Sequence, residues 1–359
     1  MAQLIVQKQD IIDNYRLLKE HCGVPLIPVL KANGYGLGAQ GLFAILKEEG
    51  CPLVAVSRLE EALPLCGQGV EVLILSCGSG DDYIKTLLEK ELTCAVGDLA
   101  FATALSEAAQ GAGKKARVHI KIDTGMGRFG FLPHAVEEIA AVFALEGLEV
   151  AGIFSHCYAA FLGDGSAKVQ LAQFNQLIDQ LKEKGIAMPM RHIANSCAAI
   201  KGGDFALDGV RIGSALTGRL PIPSGLPLKR AGRLEAEVLS VRTLPAGSNI
   251  GYGAVYKLKK ETKVAVVAIG SADGFYQSER RDLFRLLDIC RYLFHDFKLL
   301  LKKPVVYGEI EGKRVPMIGR PATTHSFFDV SGVEDALGKK MILNVPPLQV
   351  DGSVERIYE

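Results

Sequence analysis

Between residues 25 and 211 one pattern repeats eight times, a short run rich in β-branched residues followed by an amphipathic or turn-forming stretch. The runs lie at residues 25–30, 53–56, 71–76, 92–96, 117–123, 148–155, 189–194 and 206–211. Apolar residues recur every three or four positions over 37–49, 59–66, 98–110, 133–145 and 167–184, the period of a helix with one buried face. A strand that returns parallel to its neighbour needs such a crossover, so the repeat predicts a parallel sheet covered by helices. Eight strands suit a (β/α)8 TIM barrel, although the alternation also permits an open, doubly wound sheet.

The texture changes after a stretch rich in proline, glycine and serine at residues 221–227. Strand-like runs at 234–243, 262–269, 304–310, 313–318 and 341–345 predict a second, mainly β domain. A further run at 2–7 precedes a helix over 11–19 and can return to that domain. The expected architecture is therefore α/β, with an N-terminal barrel at 9–225 and a C-terminal β domain formed by 226–359 together with 1–8. A chain of 359 residues exceeds the roughly 250–300 at which single cores stop growing.

Charge and cysteine usage narrow the function. Lys and Arg number 41 against 40 Asp and Glu, so the net charge of +1 provides no global field for a polyanion, which argues against nucleic acid. The eight cysteines form no Cys-x-x-Cys pair and have no histidine spacing suited to zinc, so no metal is expected and reduced thiols in the cytoplasm are. No apolar run approaches the roughly 20 residues of a membrane helix, and the first ten residues lack the pattern of a signal peptide.

Barrel chemistry collects at the carboxyl ends of the strands. The polar residues there are Lys31, Arg128, His156, Asn195, Ser196, Arg211 and Gly213. A lysine directly after Val29-Leu30 is partly desolvated, which favours the neutral amine needed for covalent catalysis; it also reads as an ordinary surface lysine. Asn195, Ser196, Gly213 and Ser214 offer hydroxyl and backbone N–H donors where barrels bind phosphate, or equally serve turns and helix caps. His156 reads either as a catalyst or as a satisfied core residue. Arg211 ends the eighth strand and must find a buried partner or face a ligand.

Four motifs carry a resemblance to a known family: Val29-Leu30-Lys31-Ala32-Asn33-Gly34-Tyr35-Gly36-Leu37-Gly38, Lys121-Ile122-Asp123-Thr124-Gly125-Met126-Gly127-Arg128-Phe129-Gly130, Arg211-Ile212-Gly213 and Gly251-Tyr252-Gly253-Ala254-Val255-Tyr256. Together and in this order they resemble alanine racemase, a fold type III pyridoxal 5'-phosphate enzyme, over nearly the whole chain. The resemblance implies that Lys31 holds the cofactor covalently and acts as one acid/base, with Tyr252 from a second subunit as the other. The protein would then be a homodimer with shared active sites. Racemisation needs two such groups, because a proton leaves one face of Cα and another arrives on the opposite face. Both have high reference pKa values, and His156 and Arg211 are the expected shifters. Arg211 would face the pyridine nitrogen and His156 would flank the ring and link Arg211 to Tyr252. Tyr35, Asn195, Ser196, Gly213 and Ser214 would hold the cofactor, while Arg128, Tyr252, Thr323 and Asn344 would face the substrate. Lys121 matches a position that some members carbamylate and others do not.

Three departures touch the substrate pocket. The family's Gly-Tyr-Ala-Asp-Gly reads Gly270-Ser271-Ala272-Asp273-Gly274, its Cys-Met-Asp reads Ala322-Thr323-Thr324, and Asn344 falls where alanine racemases carry a tyrosine. An alternative register puts Leu343 there. Asparagine opens volume and adds hydrogen-bonding capacity, which suits a CH2OH side chain over a methyl. The pattern resembles the serine racemase catalytic domains of vancomycin-resistance proteins, which supply D-serine for peptidoglycan precursors. That resemblance implies turnover of L-serine and L-alanine by a cytoplasmic catalytic domain whose parent is membrane-anchored, and reads the Met1-Ala2-Gln3 start as the edge of an excised domain. The other readings are a plain alanine racemase supplying D-alanine for the cell wall, a decarboxylase on the same scaffold, and a non-catalytic pyridoxal-phosphate-binding protein.

Overall fold

The computed structural model describes residues 1–277, 281, 286–301 and 305–359. The chain divides into two units, Gln7–Ala231 and Met1–Val6 with Gly232–Glu359. The expected boundaries at 9 and 225 move outward for local reasons. The first helix, Lys8–Cys22, begins earlier than residue 11. The segment up to Ala231 stays with the first unit because the buried Asn14 carboxamide donates to Leu216 O and Lys229 O and accepts from Lys229 N.

The first strand, β1 (Gln3–Val6), belongs to the second unit. The next eight build the first: β2 (Leu26–Pro28), β3 (Leu53–Val56), β4 (Glu71–Ile74), β5 (Thr93–Val96), β6 (Ala116–Lys121), β7 (Leu148–Phe154), β8 (Met190–His192) and β9 (Val210–Ile212). β3 to β8 form one parallel sheet in chain order, and β2 pairs in parallel with β9. The sheet curls shut at both seams. Val29 bridges to Ala55 beside β3, and Arg211 N donates to Ala194 O beyond β8. The alternation therefore builds a (β/α)8-type barrel and not the open sheet that it also permitted. One strand differs from expectation: residues 206–209 do not extend, and β9 begins only at Val210. Leu207 there adopts a left-handed φ of 46°. Ile27, Val29, Leu53, Ala55 and Leu73 pack as one buried cluster against Leu75 and Met190.

In the second unit, β10 (Arg233–Leu244) runs 12 residues and serves two groups of partners. Its first part pairs with β1 and β15 (Lys340–Leu343), and its later part with β11 (Thr262–Val267) across an irregularity at Val238/Ser240. β12 (Tyr307–Ile310), β13 (Lys313–Pro316), β14 (Ser326–Asp329) and β16 (Glu355–Tyr358) complete the sheet, with β16 parallel to β1. The run at 2–7 does return to this domain. β14, β16 and a helix at Leu286–Leu301 were not foreseen. Pro304, the start of one expected strand, lies outside the described residues. No helix among the described residues is long and apolar enough to cross a membrane.

Candidate active site

A cavity of about 270 Å³ opens within the barrel unit and is lined by Lys31, Tyr35, Lys121, Arg128, His156, Asn195, Ser196, Arg211, Gly213 and Ser214 among others. This is close to the lower end of ligand-pocket volumes, ~300 Å³. Its lining carries four cationic side chains and no carboxylate. The barrel's carboxyl-end residues singled out by sequence thus converge on one space.

Lys31 follows β2, where Leu30 N donates to Ala55 O. The next residues wind left-handed, with φ of 52° at Ala32 and Asn33 and 54° at Tyr35, a geometry that costs L-residues roughly 1–2 kcal/mol each. Specific bonds hold it. Glu61 accepts from Ala32 N at 2.7 Å, and Asn33 Oδ1 accepts from Ala39 N at 2.9 Å. Gly34 shares the left-handed turn with a φ of 63°, and a Cβ there would press on the Ala39 backbone at 3.2 Å, which explains the glycine. Lys31 is exposed overall, yet desolvation at the barrel mouth and the Arg128 guanidinium lower its pKa, with Glu61 opposing. The expected shifters, His156 and Arg211, are not among its causes: a neutral histidine exerts no coulombic pull, and Arg128 is the cation that acts.

Arg128 is delivered by a loop wrapped around one carboxylate. Asp123 accepts backbone N–H bonds from Gly125, Met126, Gly127 and Arg128 at 2.7–3.1 Å. Burial works against the Asp123 charge, yet those four donors prevail and hold its pKa below the usual carboxylate value. A Cβ on Gly130 would come within 2.8 Å of Lys121 O. Lys121 donates to Leu75 O at 2.6 Å, and its pKa is pushed down to about 8 by burial, with Arg128 and Arg211 adding to the effect.

Arg211 is buried without a carboxylate partner among the described residues. Its guanidinium donates to Ser155 O at 2.6 Å, to His192 O and Ile193 O at 3.2 Å and to His192 Nδ1 at 2.5 Å, and reaches His156 Nδ1 at 3.3 Å. Burial lowers its pKa to about 10, which leaves it charged at neutrality. Burial, Arg211 and Lys31 push His156 down to about 3, so the imidazole is neutral.

Also in the cavity lining, Ser196 Oγ accepts from Gly213 N at 3.0 Å and Ala215 N at 3.3 Å, which leaves its own O–H free to donate. A Cβ on Gly213 would lie 2.2 Å from Tyr35 Oη, so the tyrosine ring seats directly on that glycine. Burial pushes the Tyr35 pKa up to about 12, and the phenol stays protonated. Asn195 lines the cavity, but its carboxamide accepts from Cys197 N and Ala198 N and donates to Cys157 O. Capping, the other reading of this residue, describes that side chain.

The remaining predicted residues lie in the second unit. Tyr252 stands on a short turn, Tyr252–Ala254, and is 75% exposed. Ser271 N donates to Ala322 O and Ala272 N to Thr323 O, which brings two of the three altered motifs together. Asn344 is exposed just past β15. Sequence reasoning missed His119 and His192, both buried behind Arg211. The available signal was alternation, because His119 and Lys121 share one face of β6.

Residues 6–221 match the family model described as alanine racemase, N-terminal domain, and residues 231–357 match the one described as alanine racemase, C-terminal domain. The chain belongs to the alanine racemase family, and so to the amino-acid racemases. It is 35% identical to an alanine racemase of Desulforamulus reducens over 86% of this chain and 80% of that protein. The alanine racemase of D-cycloserine-producing Streptomyces lavendulae superposes with a TM-score of 0.84 at 25% identity, covering 100% of this chain and 97% of that one. An alanine racemase from Bartonella henselae, solved with covalently bound pyridoxal phosphate, shares the fold at TM-score 0.79 and 24% identity, over 100% of this chain and 99% of that one.

Proposed function

We propose that this chain is a pyridoxal-phosphate-dependent racemase that interconverts the L and D forms of serine and alanine as a homodimer. The carrying observation is the cavity of four cations without a carboxylate, holding a lysine of lowered pKa. That donor set fits a cofactor with a phosphate and an aldehyde, plus an amino acid with a carboxylate. Tyr35, Ser196, Gly213 and Ser214 would hold the phosphate, and Arg211 would face the ring nitrogen. When bound, the cofactor supplies the electron sink that acidifies the Cα–H bond.

Within that scheme Lys31 Nζ takes or returns the Cα proton on one face, and Tyr252 Oη of the partner subunit serves the other. Arg128 binds the substrate carboxylate and keeps Cα between them. A guanidinium at the ring nitrogen, in place of a carboxylate, weakens the electron sink, which protects a substrate with a leaving group at Cβ from elimination. Lys121, whose lowered pKa gives it amine character, is positioned for carbamylation that would steady Arg128.

Serine is favoured by Ser271, Thr323 and Asn344, which replace larger tyrosine, methionine and tyrosine side chains of the family pattern, and by Thr324, which replaces a charged aspartate with a hydroxyl. The plain alanine racemase reading is supported by the printed names of the relatives above. Incubation with each L-amino acid, followed by chiral chromatography, separates the two: serine as principal substrate requires a higher kcat/KM for L-serine than for L-alanine. The role in vancomycin resistance and a membrane-anchored parent rest on this serine reading, and equal or lower serine turnover removes their support.

A further inference from the structure

Behind Arg211 the hydrogen bonds continue away from the cavity. Arg211 Nη1 lies 2.5 Å from His192 Nδ1, and His192 Nε2 lies 2.8 Å from His119 Nδ1. Neither histidine lines the cavity, and both are buried, His192 completely. His192 stacks on Phe154 with the rings 4.9 Å apart and 2° from parallel, and the Arg211 guanidinium lies over the same ring. His119 stands on β6 opposite Gly152 on β7, where a Cβ would come within 2.3 Å of His119 Nδ1. Only glycine leaves room for the imidazole at that register.

We propose that His119 is a positioning residue: through His192 it fixes the proton arrangement that keeps the Arg211 guanidinium aimed. A guanidinium has donors and no acceptor, so His192 Nδ1 must present a lone pair to it. A neutral His192 then carries its proton on Nε2, which points at His119 Nδ1, and that atom must accept in turn. Burial and the nearby Arg211 charge keep both rings neutral, so one tautomer of each satisfies the chain. Without the His119 acceptor, the Nε2–H of His192 is stranded in a dry interior. His192 must then turn or shift to find another acceptor for that N–H, and the movement draws Nδ1 off Arg211 and lets the guanidinium drift.

The proposal rests on the cofactor reading only for its consequence; the tautomer itself is testable in the protein alone. Three substitutions discriminate. His119→Asn places an oxygen near the Nδ1 site, His119→Gln places its amide near Nε2, and His119→Leu removes the acceptor. Ring 15N chemical shifts of His192 in the purified protein, assigned with His192→Asn, should show the Nε2–H tautomer with Nε2–H hydrogen-bonded in the parent and in His119→Asn. In His119→Leu and His119→Gln they should show loss of that hydrogen bond, with the Nδ1 shift moved off its Arg211-bonded position. Supporting residues of this kind change activity by ~10-fold or more, so kcat should fall about that much in Leu and Gln with KM little changed, and return in Asn. An Nδ1–H tautomer in the parent overturns the proposal. So does an unchanged His192 signal in a folded His119→Leu or His119→Gln protein. If the parent shows the expected tautomer but neither bound cofactor nor racemisation, the functional reading fails and the positioning of Arg211 stands.

Discussion

The rim of the barrel and the Tyr252 turn present opposite kinds of functional group. Each cation at the rim is held by its surroundings: Arg211 by four acceptors, Lys121 by Leu75 O, Arg128 through the Asp123 loop, and Lys31 by a left-handed turn tied to Glu61. Tyr252 is exposed on a three-residue turn of the other unit. The rim is thus prepared within one unit, whereas the tyrosine gains a chemical setting only from what packs over it. On the proposed reading, electrostatic preorganisation belongs to the barrel and the choice of substrate to the β unit.

The comparison breaks most sharply at Lys31. Lys31→Ala should lower racemisation by roughly 10⁴-fold or more and abolish the visible band of the covalently held cofactor, measured by chiral chromatography and absorbance. Tyr252→Phe should cost ~10²–10⁴-fold in rate while cofactor absorbance and Tm stay unchanged, because an exposed hydroxyl contributes little to its own unit. Equal losses of cofactor in both variants would erase the distinction between rim and turn.

Much of the rim was legible because strand ends are fixed by periodicity: Lys31, Arg128, His156 and Arg211 each follow or end a short apolar run. What was not legible depends on distant partners. His119 and His192 are 73 positions apart in sequence, so their contact exists only once β6 and β8 curl toward each other. Asn195 offers the same carboxamide to a phosphate and to a helix cap, and only geometry separates these uses. In the second unit, β14 and β16 went unseen because their neighbours are set by long-range pairing; β16 lies beside β1 at the far end of the chain. The helix Leu286–Leu301 carries a helical apolar period that was not weighed against the expected β texture.

Smaller effects sharpen the same contrast. Asn344→Tyr should shift the serine-to-alanine ratio of kcat/KM toward alanine by roughly 10–100-fold, leaving the cofactor band intact. Arg128→Leu removes a cation that lowers the Lys31 pKa, so the pKa rises toward its ordinary value. On the proposed reading Lys31 acts as the neutral amine once substrate is bound, so the rising limb of kcat against pH should move to higher pH, with activity lost as pH falls through it; a shift the other way would refute the assignment. Gly213→Ala, which would bring a methyl against Tyr35, should weaken cofactor binding by about 10-fold by fluorescence titration with little change in Tm.

The central claim is two-sided proton exchange at Cα, and deuterium tests it most directly. The purified enzyme, saturated with pyridoxal phosphate, is incubated in D2O with L-serine or L-alanine, and the products are separated by chirality and weighed by mass spectrometry. The account predicts D-product carrying one deuterium at Cα from both amino acids, and loss of that product in Tyr252→Phe. Absence of D-product and of Cα deuterium from both substrates, with the cofactor bound, would contradict it.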